Sequence, residues 1–309
     1  MNRSRKAFVR CTVPLGFALA GLVAASLVTV RSADAQLAAR PGPDQQVILV
    51  TGSTGGLGRE VARRLASDGA HVIVHGRNRG RGMELVAEIA REGKGSARFY
   101  AADFTSFDQV RGFAEAILRD YDRLDVLVNN AGVGSAPAER LLSEDGHEYR
   151  FQVNYLSGFL LTHMLLPRLL ASTPSRIVNV SSAAQRAIDF DDVMLENNFR
   201  GGRAYAQSKL AQVMFTFDLH EALEGTGVMV NSLHPATMMP TGMVAQMGGA
   251  PRATIDEGAN AVMQLIISTE IEGGQYFRGQ QPARAHDQAY DLQARAKLKR
   301  LSEELTGVR

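Results

Sequence analysis

The segment Thr51-Gly52-Ser53-Thr54-Gly55-Gly56-Leu57-Gly58 constrains this 309-residue chain more than any other. It follows a short apolar run at 47–50 and leads straight into an amphipathic stretch at 59–67. A strand that turns on glycines into a helix brings free backbone amides and the positive end of the helix dipole to one point, which suits a pyrophosphate. A glycine loop alone carries little weight. Its place between a first strand and a first helix is what makes it a dinucleotide signal. The loop fits two spacings, Thr-Gly-x-x-x-Gly-x-Gly and Thr-Gly-x-x-Gly-x-x-Gly, so residues elsewhere have to separate them.

Beyond the loop, short runs rich in β-branched residues alternate with amphipathic stretches. Runs at 47–50, 71–74, 98–101, 126–128, 177–180 and 228–231 predict strands, and stretches at 59–67, 83–91, 107–120, 148–170 and 204–223 predict helices. A helix over 255–268 and a last strand over 275–277 extend the pattern. Strict alternation of this kind predicts an α/β domain whose doubly wound parallel sheet is covered by helices on both faces. The tail over 286–306 reads as one more amphipathic helix, with Arg295, Lys297, Lys299 and Arg300 on a solvated face balanced by neighbouring acids. The expected organisation is a leader (1–35), a polar linker (36–46) containing Pro41-Gly42-Pro43, a single α/β domain (47–280) and a C-terminal helical tail (281–309). With 45% hydrophobic and 21% charged residues the chain is neither disordered nor polytopic in a membrane.

The net charge of +2 is unevenly placed. Arg3, Arg5, Lys6, Arg10 and Arg31 against Asp34 give the first 35 residues a net of +4, which leaves the remainder slightly acidic. A basic start, an uncharged apolar run at 11–30 and the small-x-small site Ala33-Asp34-Ala35 describe an export signal cleaved before Gln36. The alternative is an uncleaved anchor formed by residues 11–30. Both place the domain outside the cytoplasm, periplasmic or extracellular if cleaved. Ser4-Arg5-Lys6-Ala7-Phe8-Val9-Arg10 resembles a twin-arginine signal with Lys6 in the second arginine position, and a general secretion signal fits equally. Cys11, the one cysteine, lies in this leader, so a mature domain has no thiol. The slightly acidic remainder offers no basic patch for nucleic acid.

The second strand ends in Gly76-Arg77-Asn78, where an NAD-selective site places a carboxylate. Arg77 instead suits a 2′-phosphate, so NADP is favoured and NAD remains possible. Tyr205 and Lys209, four apart on a predicted helix, share one face. A phenol titrates near pH ~10, and a neighbouring ammonium together with an oxidised nicotinamide would favour the phenolate enough to make Tyr205 a usable general acid and base. Asn129-Asn130-Ala131-Gly132 closes the fourth strand, Asn154 lies in the following helix and Ser181-Ser182 closes the fifth strand.

Together these motifs, in this order from about residue 47 to 277, resemble the short-chain dehydrogenase/reductase family in its compact one-domain branch. The resemblance implies a Rossmann-type fold. It implies that Ser182 holds the substrate oxygen, Tyr205 exchanges the proton, Lys209 holds the nicotinamide ribose and tunes Tyr205, and Asn154 supports a proton relay. It places Gly52, Ser53, Gly56, Leu57 and Gly58 at the pyrophosphate, Arg77 and Asn78 at the adenosine 2′ position, and Asp103 and Phe104 at the adenine. Asn130, Ala131 and Gly132 would line the cofactor, Pro235 and Thr237 the nicotinamide, and Thr241 a phosphate. Two departures stand out: Ala236 occupies the position of the usual glycine after Pro235, and the Ser182 to Tyr205 interval is long. The extra stretch, 189–202, resembles the insert of retinol-dehydrogenase-like and WW-domain oxidoreductase-like members and should border the substrate.

The expected activity is hydride transfer between NADP(H) and an apolar carbonyl or alcohol substrate. Met238, Met239, Met243, Val244 and Met247 after the sixth strand form either a substrate lid or core packing. A sugar-nucleotide epimerase or dehydratase, or a catalytically silent dinucleotide sensor, are the alternatives. The seven histidines are scattered without ligand spacing, so no metal is expected. The long helices over 148–170 and 204–223 resemble those that pair subunits in the family, which makes a homo-oligomer an expectation.

Overall fold

Each apolar run is a strand and each amphipathic stretch a helix in a computed structural model that describes residues 39–308. In chain order the elements are β1 (Val47–Val50), α1 (Gly56–Ser67), β2 (His71–His75), α2 (Arg79–Glu92), β3 (Ser96–Tyr100), α3 (Phe107–Asp120) and β4 (Val126–Asn129). Then come α4 (Tyr149–Phe151), a π-helical turn (Gln152–Leu156), α5 (Ser157–Ala171), β5 (Ser175–Val180), α6 (Gly201–Ala222) and β6 (Val228–His234). The chain ends with α7 (Gly242–Gln246), α8 (Ile255–Ile267), β7 (Tyr276–Arg278), β8 (Gln281–Pro282), a 3₁₀ turn (Asp287–Tyr290) and α9 (Leu292–Thr306). The expected export signal over 1–35, with Cys11 and the anchor run, lies outside the described residues.

The strands form one sheet in the order β3-β2-β1-β4-β5-β6-β7-β8, parallel throughout except for the antiparallel β8. Every residue of β1 is buried, as a central parallel strand covered on both faces requires. Val47 and Leu49 belong to the core beneath α3, α5 and α6, and Ile48 and Val50 to the core beneath α1, α2 and α8. The order reverses between β1 and β4, which run in register from Ile48 opposite Val126 to Val50 opposite Val128. Chains leaving those two strands diverge to opposite faces and open a crevice at their carboxyl ends. The glycine loop and Asn130-Ala131-Gly132 both lie there.

Three features differ from the sequence expectation. The helix expected over 148–170 is interrupted by the π-helical turn that carries Asn154. One residue more per hydrogen-bonded ring shifts the side chains there, a deviation common at functional sites. The tail over 286–306 is two pieces, a 3₁₀ turn and α9, because Asp291 caps the second helix by accepting from the Gln293 and Ala294 amides. Arg295 is buried rather than solvated, and donates to Asp218 at 2.6 Å and to Glu221 at 2.7 and 3.1 Å. Its acids lie across the interface on α6, where a reading of the tail alone could not place them.

The described part of the linker is docked. Gln45 accepts from Ser96 Oγ at 2.9 Å and donates to the Gly69 carbonyl at 2.7 Å, at the amino ends of β2 and β3 and away from the crevice. Among the described residues no helix is long and apolar enough to cross a membrane. Arg295→Ala would leave Asp218 half-buried without its donor, and we expect a loss of about 1–3 kcal/mol in unfolding free energy. Chemical denaturation of the two proteins checks it, and an unchanged midpoint would contradict the docking role of α9.

Candidate active site

Close packing decides which glycines the loop needs. Gly52 has φ +66°, and a Cβ there would stand 2.8 Å from the Ala131 Cα. A Cβ on Gly58 would meet Asn130 Nδ2 at 2.4 Å and the Gly52 carbonyl oxygen at 2.6 Å. Gly56 has φ +54° and abuts Thr241, whose Cγ2 would be 3.1 Å from an added Cβ. Gly55 is extended with open space beside it. The required glycines are therefore 52, 56 and 58, the Thr-Gly-x-x-x-Gly-x-Gly spacing. Leu57 lies in the first turn of α1, whose leading amides have no acceptor within the helix and no capping side chain. This is an anion cradle.

The loop is held from two sides. Thr51 Oγ accepts from the Asn130 and Ala131 amides, each at 2.9 Å, and Asn130 Nδ2 donates to the Thr51 carbonyl at 2.8 Å. From β2, His75 Nδ1 accepts the Gly52 N–H at 3.1 Å, so its proton resides on Nε2 and is donated to the Ala102 carbonyl at 3.2 Å. Burial between Phe104 and Phe113, with ring centroids 4.5 and 4.7 Å away, pushes the His75 pKa down to about 4 and keeps the ring neutral.

Two expected contacts are corrected here. Ser53 is fully buried, with Oγ accepting from the His75 amide at 3.0 Å, so it ties the loop to β2 and presents nothing to a ligand. Phe104 turns its ring inward onto His75, which leaves only its backbone for the adenine side. Thr54, not singled out from the sequence, packs against Gly76, where a Cβ would be 2.6 Å from Thr54 Oγ1. No side-chain pattern in the loop marks it. Arg77 is largely exposed, and its guanidinium lies 3.5 Å from Asp103. Asn78 accepts from the Arg81 amide at 2.9 Å and caps α2.

At the other end of the crevice the four chemical side chains converge. Asn154 Oδ1 accepts from the Val133 amide at 2.7 Å, and its Nδ2 donates to the Val133 carbonyl at 3.1 Å and to Ser208 Oγ at 2.9 Å. Gly132 lies between Asn154 and Lys209, 3.1 Å from Oδ1 and 3.5 Å from Nζ at the place of an added Cβ. Lys209 Nζ donates to the Val180 carbonyl at 3.0 Å and to Gln212 Oε1 at 2.8 Å, and lies 5.8 Å from the centre of the Tyr205 ring. Burial pushes the Lys209 pKa down to about 7. Burial also pushes the Tyr205 phenol up, and the neighbouring Ser182 hydroxyl opposes that shift. Without the cofactor, an ammonium that is itself desolvated is a weak partner for the Tyr205 phenolate, so the lowering expected from Lys209 together with an oxidised nicotinamide is not set up by the lysine by itself.

Beyond β6, Pro235 is buried, and Thr237 Oγ1 is 2.9 Å from His234 Nε2. Thr241 caps α7 and, touching Gly56, stands over the anion cradle. Gly134 abuts the methionines in and just after α7, with Met243 Cγ and Met247 Sδ 2.8 and 3.4 Å from an added Cβ. The methionine segment therefore closes over the β4 exit.

Residues 46–251 match the short chain dehydrogenase family. The chain belongs to that family. Its relatives include human Retinol dehydrogenase 14, 36% identical over 293 residues that span 85% of this chain and 87% of the relative. Among solved structures, a short chain dehydrogenase from Pseudomonas syringae superposes with a TM-score of 0.63 at 29% identity, covering 78% of this chain and 98% of the other. Another from Escherichia coli CFT073, complexed with NADPH, gives 0.61 at 27%, covering 76% and 97%. Family membership makes this short chain dehydrogenase a Rossmann-fold oxidoreductase acting on CH–OH groups.

A buried lysine leaves a thermodynamic signature. Its folded pKa lies below its unfolded value near ~10.4, so between those values the unfolded chain binds the extra proton and stability from this group rises with pH, by up to about 1.4 kcal/mol per unit. We expect Lys209→Met to abolish that rise. Denaturant unfolding of both proteins between pH 7 and 10 measures it, and parallel stability curves would show that Lys209 is not desolvated.

Proposed function

We propose that this chain binds NADP(H) along the crevice and interconverts an apolar aldehyde or ketone with its alcohol, with Tyr205 as general acid and base. The observation that carries the reading is the convergence of Ser182, Tyr205 and Lys209, with Lys209 beside Gly132, at the opposite end of the crevice from an anion cradle built by Gly52, Gly56 and Gly58. That cradle fits a dinucleotide because each of its three glycines meets a neighbour at the place where a side chain would project. When bound, the nicotinamide supplies or accepts the hydride at the carbonyl carbon.

The remaining work falls to the chain. The Leu57 and Gly58 amides and Thr241 would hold the pyrophosphate, while Arg77 and Thr54 would meet the 2′-phosphate. Lys209 Nζ has one donor beyond its bonds to Val180 and Gln212, and would offer it to the ribose. Ser182 Oγ accepts the Ala184 amide at 3.1 Å, which leaves its own proton for the substrate oxygen or the Tyr205 phenol. In reduction Tyr205 gives its proton to the developing alkoxide, and in oxidation it takes the alcohol proton. Asn154 anchors Val133 and Ser208, and so fixes the β4 exit against α6. Met243 and Met247 would give the substrate a pliable apolar cover, which with the retinol dehydrogenase relative favours a lipophilic, retinoid-like substrate.

Tyr205→Phe should lower kcat for retinaldehyde reduction by about 10²–10⁴-fold while NADPH binding, followed by its fluorescence, stays intact. Full activity of that variant would refute the reading, and binding without turnover in the unaltered protein would favour a sensor. Arg77→Asp should cut the NADPH over NADH preference by about 10–100-fold, the worth of charge-assisted hydrogen bonds to one phosphate. An unchanged ratio of kcat/KM would remove Arg77 from the 2′-phosphate.

A further inference from the structure

Ser182 is held by residues that the catalytic motifs do not include. Its carbonyl oxygen accepts two donors, the Tyr276 phenol at 3.0 Å and Gln185 Nε2 at 2.9 Å, which together fill its lone pairs. The Gln185 amide cannot be reversed, because its Oε1 accepts the His286 backbone N–H at 2.9 Å. Two residues further on, Gln288 accepts from the Ile188 amide at 2.6 Å and donates to the Ile188 carbonyl at 3.0 Å. Tyr276 is buried in β7, and its phenol, pushed up to about 12 chiefly by burial, remains a donor.

We propose that Tyr276 and Gln185 are positioning residues that fix the Ser182 hydroxyl for catalysis, and that the C-terminal segment through His286 and Gln288 locks them in place. The clamp fixes the Ser182–Ala183 peptide from the carbonyl side, while the Ala184 amide fixes Oγ from the other. A serine held at both points has its proton aimed rather than rotating, and such aim is the geometric component of catalysis. Tyr276 and the 286–288 turn lie beyond residues 46–251, the part that matches the family model. The Ser182 end of the site is thus braced by the tail of this chain through His286 and Gln288. The proposal rests on Ser182 acting at the substrate oxygen.

Tyr276→Phe and Gln185→Leu test it. Each should lower kcat by about 10-fold with NADPH binding unchanged within about twofold, because the cofactor cradle is untouched. A second readout separates positioning from general loosening. The groups facing Tyr205 are Lys209 from its own helix, Ser182 from the end of β5, and Tyr276 from β7, with Arg278 and Tyr290 facing Tyr276 in turn. Ser182 holds the phenol pKa down. A displaced Ser182 should therefore shift the rising limb of the oxidation rate to higher pH by about half a unit. Wild-type kcat and an unmoved limb in both variants, with Tyr205→Phe inactive, would overturn this proposal alone; an active Tyr205→Phe would overturn the function beneath it. Should Tyr276→Phe not fold, the half-buried Gln185→Leu carries the same test, and Gln288→Leu should show the same limb shift in weaker form.

Discussion

The architecture depends on one close approach, between the loop that leaves β1 and the chain that leaves β4. Gly52 stands against Ala131, and Gly58 against Asn130 and the Gly52 carbonyl, at distances that no side chain could share. Thr51 Oγ receives both amides of the β4 exit, so the two loops are tied to each other. That contact sits where the strand order reverses. It opens the first amides of α1 toward the crevice and sets Gly132 between Asn154 and Lys209. The phosphate end and the chemical end of the site are thus two consequences of the same packing.

A second constraint is desolvation. Lys209 and Tyr205 lie where burial disfavours the charged form of each, and their environment answers with fixed dipoles: the Val180 carbonyl and Gln212 for the lysine, Ser182 for the phenol. Groups held in this way are poised rather than already ionised, and binding of a polyanionic cofactor would change the balance for both. His75 shows the opposite use of burial. Held neutral between two phenylalanines, it serves as an acceptor for the glycine loop at any physiological pH.

Much of this was legible in the sequence because it is local or periodic. The bounds of β1 and α3 follow directly from the apolar pattern of 47–50 and 107–120. Tyr205 and Lys209 share a face because they are four apart on a helix. What was not legible depends on what lies across a contact. Ser53 and Thr54 are neighbours of similar chemistry, yet one is fully buried against His75 and the other faces Gly76; only the turn of the loop distinguishes them. Arg295 reads as a surface charge until Asp218 and Glu221 are seen opposite it. The π-helical turn at Asn154 has no local signature, and Tyr276 reads as an ordinary strand residue until its phenol is found on the Ser182 carbonyl.

Ser182, Tyr205 and Lys209 have one chemical task in this site, to support hydride transfer to a carbonyl carbon. The most direct measurement is mass spectrometry of the alcohol formed when the purified protein is given retinaldehyde and NADPH deuterated at the transferable C4 position. One deuterium on the carbinol carbon of the product is expected. Alcohol without that label, or NADPH bound with no alcohol formed from this or any other lipophilic aldehyde tested, would contradict it.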